Sequence, residues 1–395
     1  MRFLLILLTG LTILSPLQAQ QWTKMANIPQ GRHHPVTWGI NGVGYMVTGT
    51  NAQNNPTKTF YTYNPQTDRW NYEGLFPGTE RSFAIGTVYK GKGYLGFGAS
   101  QTRYLNDLWE HDPPTDSWNQ LASCPCAGRR HPSFVASNDA IYVGLGDGAQ
   151  GNYDDWWKYD MKADSWRSIP DLPGAGRHHP FQFVVNGQVY AGMGHAGQVI
   201  FDDWYRLDTA TDTWTQMDDF PGEARVAGTQ FNHAQQGYVL SGDGDNHSYM
   251  STGEFWRYND STDTWTQLTA HPGVSRWAPG SFVLNDEVYL IGGLNRQTRS
   301  LASSIYKYPL PSTVSLKETT QEPFTLYPNP TQGSMTIQAE RKFDALTLIN
   351  STGVKVFQKK GTFTKVDLGS LSPGIYLAQL RYQGTLLGQQ RILKR

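Results

Sequence analysis

A tryptophan-containing string that recurs six times along the chain is the strongest constraint on its fold. From Tyr142 to Trp166 it reads YVGLGDGAQGNYDDWWKYDMKADSW: an aromatic residue, glycines, an acidic residue before aromatics, a polar turn and a tryptophan. By subtraction of positions, the equivalent tryptophans are spaced 48, 48, 48, 48 and 51 residues apart: Trp22, Trp70, Trp118, Trp166, Trp214 and Trp265. The tyrosines that precede the glycines keep the same phase: Tyr45, Tyr94, Tyr142, Tyr190, Tyr238 and Tyr289. A period near fifty residues, rich in Gly and Trp, predicts an all-β propeller of six four-stranded blades around a central channel.

The phase of the repeat also predicts how the propeller closes. In the third repeat we expect strands a to d at His131–Ser137, Ile141–Leu145, Asp155–Asp160 and Ser165–Ile169. The chain begins with a d-type strand at Trp22, and the sixth repeat ends after a c-type strand that starts at Ile305. The N-terminal strand is therefore expected to complete the last blade, which leaves no sheet edge between the chain ends.

Composition and charge bound the remaining segments. Residues 1–19 combine one Arg, an apolar run and a small residue, Ala19, and predict a signal peptide, so the mature protein is expected to be exported and to contain no membrane span. The predicted segments are a propeller over 20–310, a polar linker over 311–323 and a second domain over 324–395.

Charge and cysteine content limit the possible partners and crosslinks. Lys and Arg number 33 and Asp and Glu number 33, which argues against nucleic acid as a partner. The two cysteines, Cys124 and Cys126, would close too small a loop for a bridge to stabilise the fold much.

The repeats resemble the kelch family. The likeness rests on glycines after an aromatic strand, an Asp before an aromatic residue, and a Trp about six residues after a Tyr, in six copies over about Trp22–Leu310. Single copies depart from the pattern: Thr48-Gly49 and Ser241-Gly242 replace the double glycine, and Ser304-Ile305 replaces the Asp-aromatic pair. The resemblance implies a six-bladed kelch β-propeller.

The C-terminal segment resembles the sorting domain of the type IX secretion system of Bacteroidetes-type bacteria. The likeness rests on the YPNP opening that begins at Tyr327, the turn at Gly353 and the Pro373-Gly374-Ile375-Tyr376 string. It implies a small β-sandwich, the type IX machinery as a partner of residues 324–395, and a secreted or cell-surface protein that has crossed the outer membrane. An ordinary adhesive sandwich module is the alternative.

One basic position is present in all six repeats, 10 or 11 residues after each tryptophan: Arg32, Arg81, Arg129, Arg177, Arg225 and Arg276. On the d–a connection, such a ring could bind an acidic ligand, because the planar guanidinium pairs with a carboxylate through two hydrogen bonds. Alternatively, the ring is structural and each Arg ties neighbouring blades together.

Residues that break the six-fold pattern are better candidates for a site, since a ligand is rarely six-fold symmetric. Two positions after each Arg, histidine occurs in repeats one, three and four; after the glycines, repeats three to five carry Asp, His and Asp. We therefore predict a polar ligand pocket formed by Arg129, Arg177, Arg225, His131, His179, Asp147, His195 and Asp243. The alternative is turn chemistry at Gly-Asp-Gly and hydrogen-bonded histidines at the rim.

We expect no metal and no cofactor. His33-His34 and His178-His179 fall in opposite repeats and could share an ion only across the channel axis. Cys124 and Cys126 lack zinc-site spacing, and the Asp243 loop lacks a full set of calcium ligands.

Three functions remain open from the sequence. The first is an exported propeller that binds an acidic saccharide or peptide. The second is a sugar epimerase or mutarotase, since bacterial N-acetylneuraminate epimerases resemble this chain in having an exported six-bladed kelch propeller; no catalytic residue carries over from them. The third is a structural surface scaffold.

Overall fold

The computed structural model describes residues 21–311, 324–339, 342–350, 355–382 and 385–395. The predicted signal peptide, nearly all of the predicted linker and the Gly353 turn lie outside these residues. The chain divides into two compact units, Met1–Pro311 and Ser312–Arg395. Within the described ranges, no helix has the length and apolar character needed to cross a membrane.

The first unit consists of six four-stranded antiparallel sheets, one for each repeat. Strand β1 (Thr23–Met25) precedes the first complete blade. Blades 1 and 2 are formed by β2 (Val36–Ile40), β3 (Val43–Val47), β4 (Thr59–Asn64), β5 (Arg69–Leu75), β6 (Ile85–Tyr89), β7 (Lys92–Gly96), β8 (Leu108–Asp112) and β9 (Ser117–Leu121). Blade 3 contains β10 (Ser133–Ser137), β11 (Ala140–Gly144), β14 (Trp156–Asp160) and β15 (Ser165–Ile169), with a small hairpin of β12 (Asp147–Gly148) and β13 (Gly151–Asn152) in its b–c loop.

Blades 4 to 6 follow the same order. Blade 4 contains β16 (Phe181–Val185), β17 (Gln188–Gly192), β20 (Trp204–Asp208) and β21 (Thr213–Met217), with a loop hairpin of β18 (His195–Ala196) and β19 (Val199–Ile200). Blade 5 contains β22 (Thr229–His233), β23 (Gln236–Leu240), β24 (Gly253–Asn259) and β25 (Thr264–His271), with a 3₁₀ helix at Asp245–His247. Blade 6 contains β26 (Gly280–Leu284), β27 (Glu287–Ile291) and β30 (Ile305–Pro309), with a loop hairpin of β28 (Leu294–Asn295) and β29 (Ser300–Leu301).

The predicted closure is confirmed. Strand β1 pairs antiparallel with β30, with Thr23 opposite Lys307 and Met25 opposite Ile305, and so supplies the fourth strand of blade 6. The innermost strands form a closed ring in which each contacts the next and β26 contacts β2. In the third blade, the predicted strands agree with the observed ones to within two residues at either end.

The repeated arginines connect the blades. Each guanidinium is buried and reaches an acidic or hydroxyl side chain of its own blade; in blades 2 to 5 these partners are Asp107, Asp155, Asp203 and Glu254. Each Arg carbonyl accepts a hydrogen bond from a glycine N–H of the preceding blade, and the set closes with Gly293 N–H to Arg32 O at 2.9 Å. Those glycines have positive φ, and a Cβ at Gly98 would lie 2.5 Å from the Ser82 carbonyl oxygen. The structure thus corresponds to the structural-ring alternative.

The second unit contains two sheets that share one apolar core, in agreement with the predicted β domain. The strands are β31 (Phe324–Tyr327), β32 (Ser334–Ala339), β33 (Ala345–Asn350), β34 (Lys355–Lys360), β35 (Lys365–Asp367), β36 (Gly374–Tyr382) and β37 (Thr385–Lys394). Their order is β31-β32-β35 in one sheet and β34-β33-β36-β37 in the other, with Leu326, Leu348 and Ala378 among the buried core residues. The YPNP segment is held to the last strand because Asn329 Oδ1 accepts the Leu393 N–H at 2.9 Å.

We predict that Asp203→Ala destabilises the propeller by about 3–5 kcal/mol, because it leaves the Arg177 guanidinium buried without its carboxylate partner. Denaturant unfolding followed by tryptophan fluorescence measures this, since all 13 tryptophans lie between Trp22 and Trp277. The neighbouring, exposed Asp202 provides the control, and Asp202→Ala should change the stability little. Equal losses in the two variants would contradict the assignment.

A buried histidine in blade 5 makes the stability depend on pH. His271 is 2% exposed, its Nε2 lies 3.0 Å from Ser241 Oγ, and burial lowers its pKa to about 3. The unfolded chain takes up a proton at this imidazole below pH 6.5, whereas the folded chain does so only near pH 3. Its contribution to stability is therefore fully present above pH 6.5 and falls as the pH drops below that value.

The free energy of unfolding falls between pH 7 and pH 5. We predict that this fall is about 2 kcal/mol smaller in His271→Gln than in the wild type. Denaturant unfolding at both pH values measures the difference. Ser241→Ala is the control: it removes a hydrogen-bond partner but keeps the imidazole, so the variant should be less stable at both pH values with the same pH dependence. An unchanged pH dependence in His271→Gln would rule out this origin.

Candidate functional site

The residues two positions after the repeated arginines form a ring around the propeller axis, here called the mouth ring. All six have a left-handed backbone, with φ between 48° and 62°: His34, Phe83, His131, His179, Ala227 and Ala278. Backbone hydrogen bonds run from one blade to the next within it, such as His34 N–H to Ala278 O at 2.8 Å and His131 N–H to Phe83 O at 3.1 Å. Phe, Ala and His all adopt the same left-handed φ at this position. The fold therefore imposes this backbone conformation whatever the side chain, and the side chain is free to vary.

Below the mouth ring lies a cavity of about 110 Å³ on the axis. It is lined by the starts of the innermost strands of all six blades, where small residues such as Gly86, Gly228 and Ser281 face the channel. The three mouth-ring histidines form its upper wall. The channel is therefore capped by imidazoles on one side and opens below them into a small space.

The three mouth-ring histidines meet across the axis. His34 and His179 come from opposite blades, yet their Nε2 atoms are 3.0 Å apart. The His131 ring stacks on His179 with 3.5 Å between ring centroids and lies 4.8 Å from the His34 ring. The opposite blades are thus bridged by side chains at this level.

Each of these histidines turns its Nδ1 outward to a further polar residue. His34 Nδ1 lies 2.6 Å from His33 Nδ1, and His179 Nδ1 lies 3.2 Å from His195 Nε2. His131 Nδ1 lies 3.5 Å from Asp147 Oδ1. These outer contacts occupy the Nδ1 side of each ring, and the Nε2 atoms of His34 and His179 face each other across the axis.

The hydrogen bond between His195 and Gly197 determines the tautomers of the imidazoles that are hydrogen-bonded in series from His195 to His33. His195 Nδ1 donates to the Gly197 carbonyl oxygen at 3.3 Å, so its Nε2 accepts from His179. His179 Nε2 then accepts from His34 Nε2, and His34 Nδ1 accepts from His33. Four neutral rings form one hydrogen-bonded relay with one proton on each.

Burial keeps these imidazoles neutral. It lowers the pKa of His131 to about 3 and the pKa of both His33 and His195 to about 4. Burial would raise the pKa of Asp147, but the nearby His131 ring and the Arg130 guanidinium hold it well below its usual range. The site thus contains neutral imidazoles beside an ionised carboxylate near pH 7.

Two arginines outside the repeated ring flank the mouth. Arg130 donates from Nε and Nη2 to the Asp147 carboxylate at 2.8–3.0 Å, and its side chain is 36% exposed. Arg296 lies with Nε 2.9 Å from Asp243 Oδ2 and is 35% exposed. Burial raises the pKa of Asp243 to about 6, against the opposing effect of Arg296. Both cations therefore remain accessible although each has a carboxylate partner.

Aromatic side chains lie beside these cations. The Arg130 guanidinium is 5.6 Å from the Phe83 ring centroid, and the Arg296 guanidinium is 5.6 Å from that of Trp277. Phe83 and Trp277 are both partly exposed and contact His34 edge to face. The mouth therefore combines flat apolar faces with charged hydrogen-bond donors.

The predicted site residues fall into two groups. His131, His179, Asp147 and His195 lie together at the mouth. Asp243 lies at its rim, where its carboxylate contacts Arg296. Arg129, Arg177 and Arg225 are fully buried in their blades and are engaged by Asp155, Asp203 and Glu254. We therefore remove these three arginines from the site, because their donors serve the scaffold.

The residues that directly follow the repeated arginines are not among the predicted site residues. This position pairs with the residue after the glycines, as in the bridges of Arg130 with Asp147 and of His178 with His195. It is also asymmetric in sequence: His33, Ser82, Arg130, His178, Val226 and Trp277. The same test of asymmetry, applied one residue earlier, would have found it. Arg296 and His247 lie in b–c loops, where Arg296 Nη2 donates to the His247 carbonyl oxygen at 2.7 Å, and they carry no such signal.

Comparison with known families agrees with this architecture. The family model of the KLHDC2/KLHL20/DRC7 Kelch-repeats domain matches residues 11–174, and that of the secretion system C-terminal sorting domain matches residues 325–394. None of the curated proteins matches the chain. The sorting domain indicates type IX secretion and export to the cell surface or beyond in Bacteroidetes-type bacteria. The chain is therefore a secreted protein that combines a Kelch-repeat domain, folded as a six-bladed propeller, with a C-terminal sorting domain of the type IX secretion system.

Proposed function

We propose that the protein is an exported binding propeller that takes a carboxylate-bearing saccharide or peptide at the mouth of its channel. The observation that carries this proposal is the pair of partly exposed arginines, Arg130 and Arg296, which flank the mouth and do not belong to the repeated ring. Nη1 of each makes no hydrogen bond to the described residues, so one edge of each guanidinium remains for a ligand carboxylate.

The aromatic faces favour a saccharide over a peptide. Trp277 and Phe83 lie on either side of His34 and present partly exposed rings beside the two cations. Sugar rings pack their C–H faces on aromatic rings, while fixed polar groups orient their hydroxyls. The neutral imidazoles of His178 and His195 supply further donors and acceptors at the same rim.

We predict that Arg130→Ala and Arg296→Ala each weaken binding of acidic saccharides by about 10–100-fold, because each removes one charged hydrogen-bond donor. Calorimetric titration with sialic acid, hexuronic acids and an acidic peptide measures the loss, and the neutral hexoses test whether it depends on the carboxylate. Arg69→Ala is the matched control, because Arg69 is exposed on the outer strand of blade 1, away from the mouth.

Two outcomes would refute the binding proposal. In one, no acidic ligand of the panel binds; this favours the surface scaffold. In the other, an acidic ligand binds with equal affinity to the wild type and to both mouth variants, which places its site elsewhere on the protein.

A sugar epimerase or mutarotase is a second candidate, favoured by the relay of four hydrogen-bonded imidazoles from His195 to His33. Such a chain moves a proton by tautomer exchange without any ring becoming charged. The double variant Asp147→Asn, His195→Gln should then abolish any acceleration of anomer interconversion or epimerisation seen by NMR. Binding without turnover in the wild-type protein would eliminate this candidate.

A further inference from the structure

The mouth ring brings imidazole nitrogens from three blades into one small space. His34 Nε2 and His179 Nε2 face each other at 3.0 Å, and one ring nitrogen from each of His34, His131 and His179 lies within 4.8 Å of the other two. Two nitrogens bound to one tetrahedral ion at 2.0–2.1 Å are about 3.4 Å apart. The His34–His179 separation is close to that value without any movement of the backbone.

His131 provides an independent sign of an absent partner. Its ring is only 9% exposed, yet neither of its nitrogens makes a hydrogen bond to the described residues. Its Nδ1 has Asp147 at 3.5 Å, whereas nothing in the described chain serves its Nε2. A buried polar atom without a partner destabilises the fold, and a bound cation would remove that penalty.

We propose that His34, His131 and His179 bind one divalent transition-metal ion through their Nε2 atoms on the propeller axis. Three neutral imidazoles are the ligands that Zn²⁺, Co²⁺, Ni²⁺ and Cu²⁺ accept and that Mg²⁺ and Ca²⁺ do not favour. Three protein ligands leave a fourth position open, and the cavity of about 110 Å³ below the ring has room for water there. The site is thus of the open kind rather than of the closed structural kind.

The outer contacts support each ligand ring at Nδ1, and the His131 ring, which stacks on His179 with 3.5 Å between centroids, turns about its side-chain bonds to bring its Nε2 to the ion. His33, Asp147 and His195 all meet the Nδ1 side of a ligand ring, which is where the supporting partners of metal-bound histidines lie. His179 already has its proton on Nδ1. His34 binds after its proton moves from Nε2 to Nδ1, with the matching shift in His33, so no proton has to leave the protein.

Two other groupings of side chains are weaker candidates. His131, Asp147 and His178 form one, but Asp147 already accepts three hydrogen bonds from Arg130. His178, His179 and His195 form the other, but binding there would break the hydrogen bond between His179 and His195. The axial set keeps both of those contacts and gives up instead the hydrogen bond between His34 and His179, and it alone uses His34.

The metal site does not depend on the proposed binding of an acidic ligand, and its test needs no saccharide. The full chain is purified without a histidine tag, freed of metal with a chelator and titrated with Zn²⁺ or Co²⁺. We expect one ion per chain by calorimetry and by elemental analysis, and with Co²⁺ the intense visible absorption of a four-coordinate ion.

The variants place an alanine where other blades already carry one. Blades 5 and 6 already have alanine at this ring position, as Ala227 and Ala278, with the same backbone conformation. The fold should therefore accept His34→Ala, His131→Ala and His179→Ala. Each should weaken binding by at least about tenfold and abolish the four-coordinate Co²⁺ spectrum. Asp147→Asn should weaken binding by about tenfold and keep the spectrum, as expected for a residue that positions a ligand.

His178→Ala and His233→Ala are the controls, the first for the competing groupings and the second for adventitious surface binding. Both should bind with wild-type affinity. The proposal is overturned if the full chain binds no ion, if His34→Ala binds as tightly as the wild type, or if His178→Ala alone abolishes binding. In the first case His34 and His179 serve only as members of the hydrogen-bonded relay.

Discussion

The propeller depends on one arginine in each blade that performs two tasks. Its guanidinium pairs with a side chain of its own blade, such as Asp107 for Arg81, and its carbonyl accepts a glycine N–H from the blade before. The first contact fixes the b–c loop against the d–a connection, and the second fixes that blade to its neighbour. Since the six carbonyl contacts close on themselves at Gly293 and Arg32, every blade is held on both sides. Loss of a single carboxylate therefore affects a link of the ring and not only one loop.

Because the repeated arginines hold the blades together, the side chains at the mouth are free to vary from blade to blade. The repeated residues satisfy the backbone and the buried charges, and the left-handed conformation of the mouth ring accepts His34, Phe83 and Ala278 alike. Substitutions there change what faces the channel without changing how the blades hold together. The blades therefore differ in the side chains that they place at the mouth, whereas the six-fold arrangement of the backbone remains nearly regular.

The sequence predicted the blades and the closure by the N-terminal strand, and five of its eight candidate residues lie at the mouth. The reasons for its failures are physical. The tryptophan period determines the blades because every copy packs in the same way. Arg129 and Arg130 are neighbours, and adjacent residues of an extended segment point to opposite sides, so one enters the blade and the other reaches the mouth. A pattern of residue types does not say which of the two faces inward. The distance across the axis was equally hidden, since it depends on how tightly the six innermost strands pack.

The electrostatics of the mouth connect its two proposed roles. Arg130 and Asp147 balance each other, as do Arg296 and Asp243, and the buried imidazoles stay neutral, so the residues at the mouth carry little net charge near pH 7. A divalent ion at His34, His131 and His179 would add two positive charges where burial weakens screening. That charge would favour a carboxylate bound between the two arginines at the mouth. An acidic ligand and a metal are therefore complementary occupants of one mouth, and each would strengthen the binding of the other.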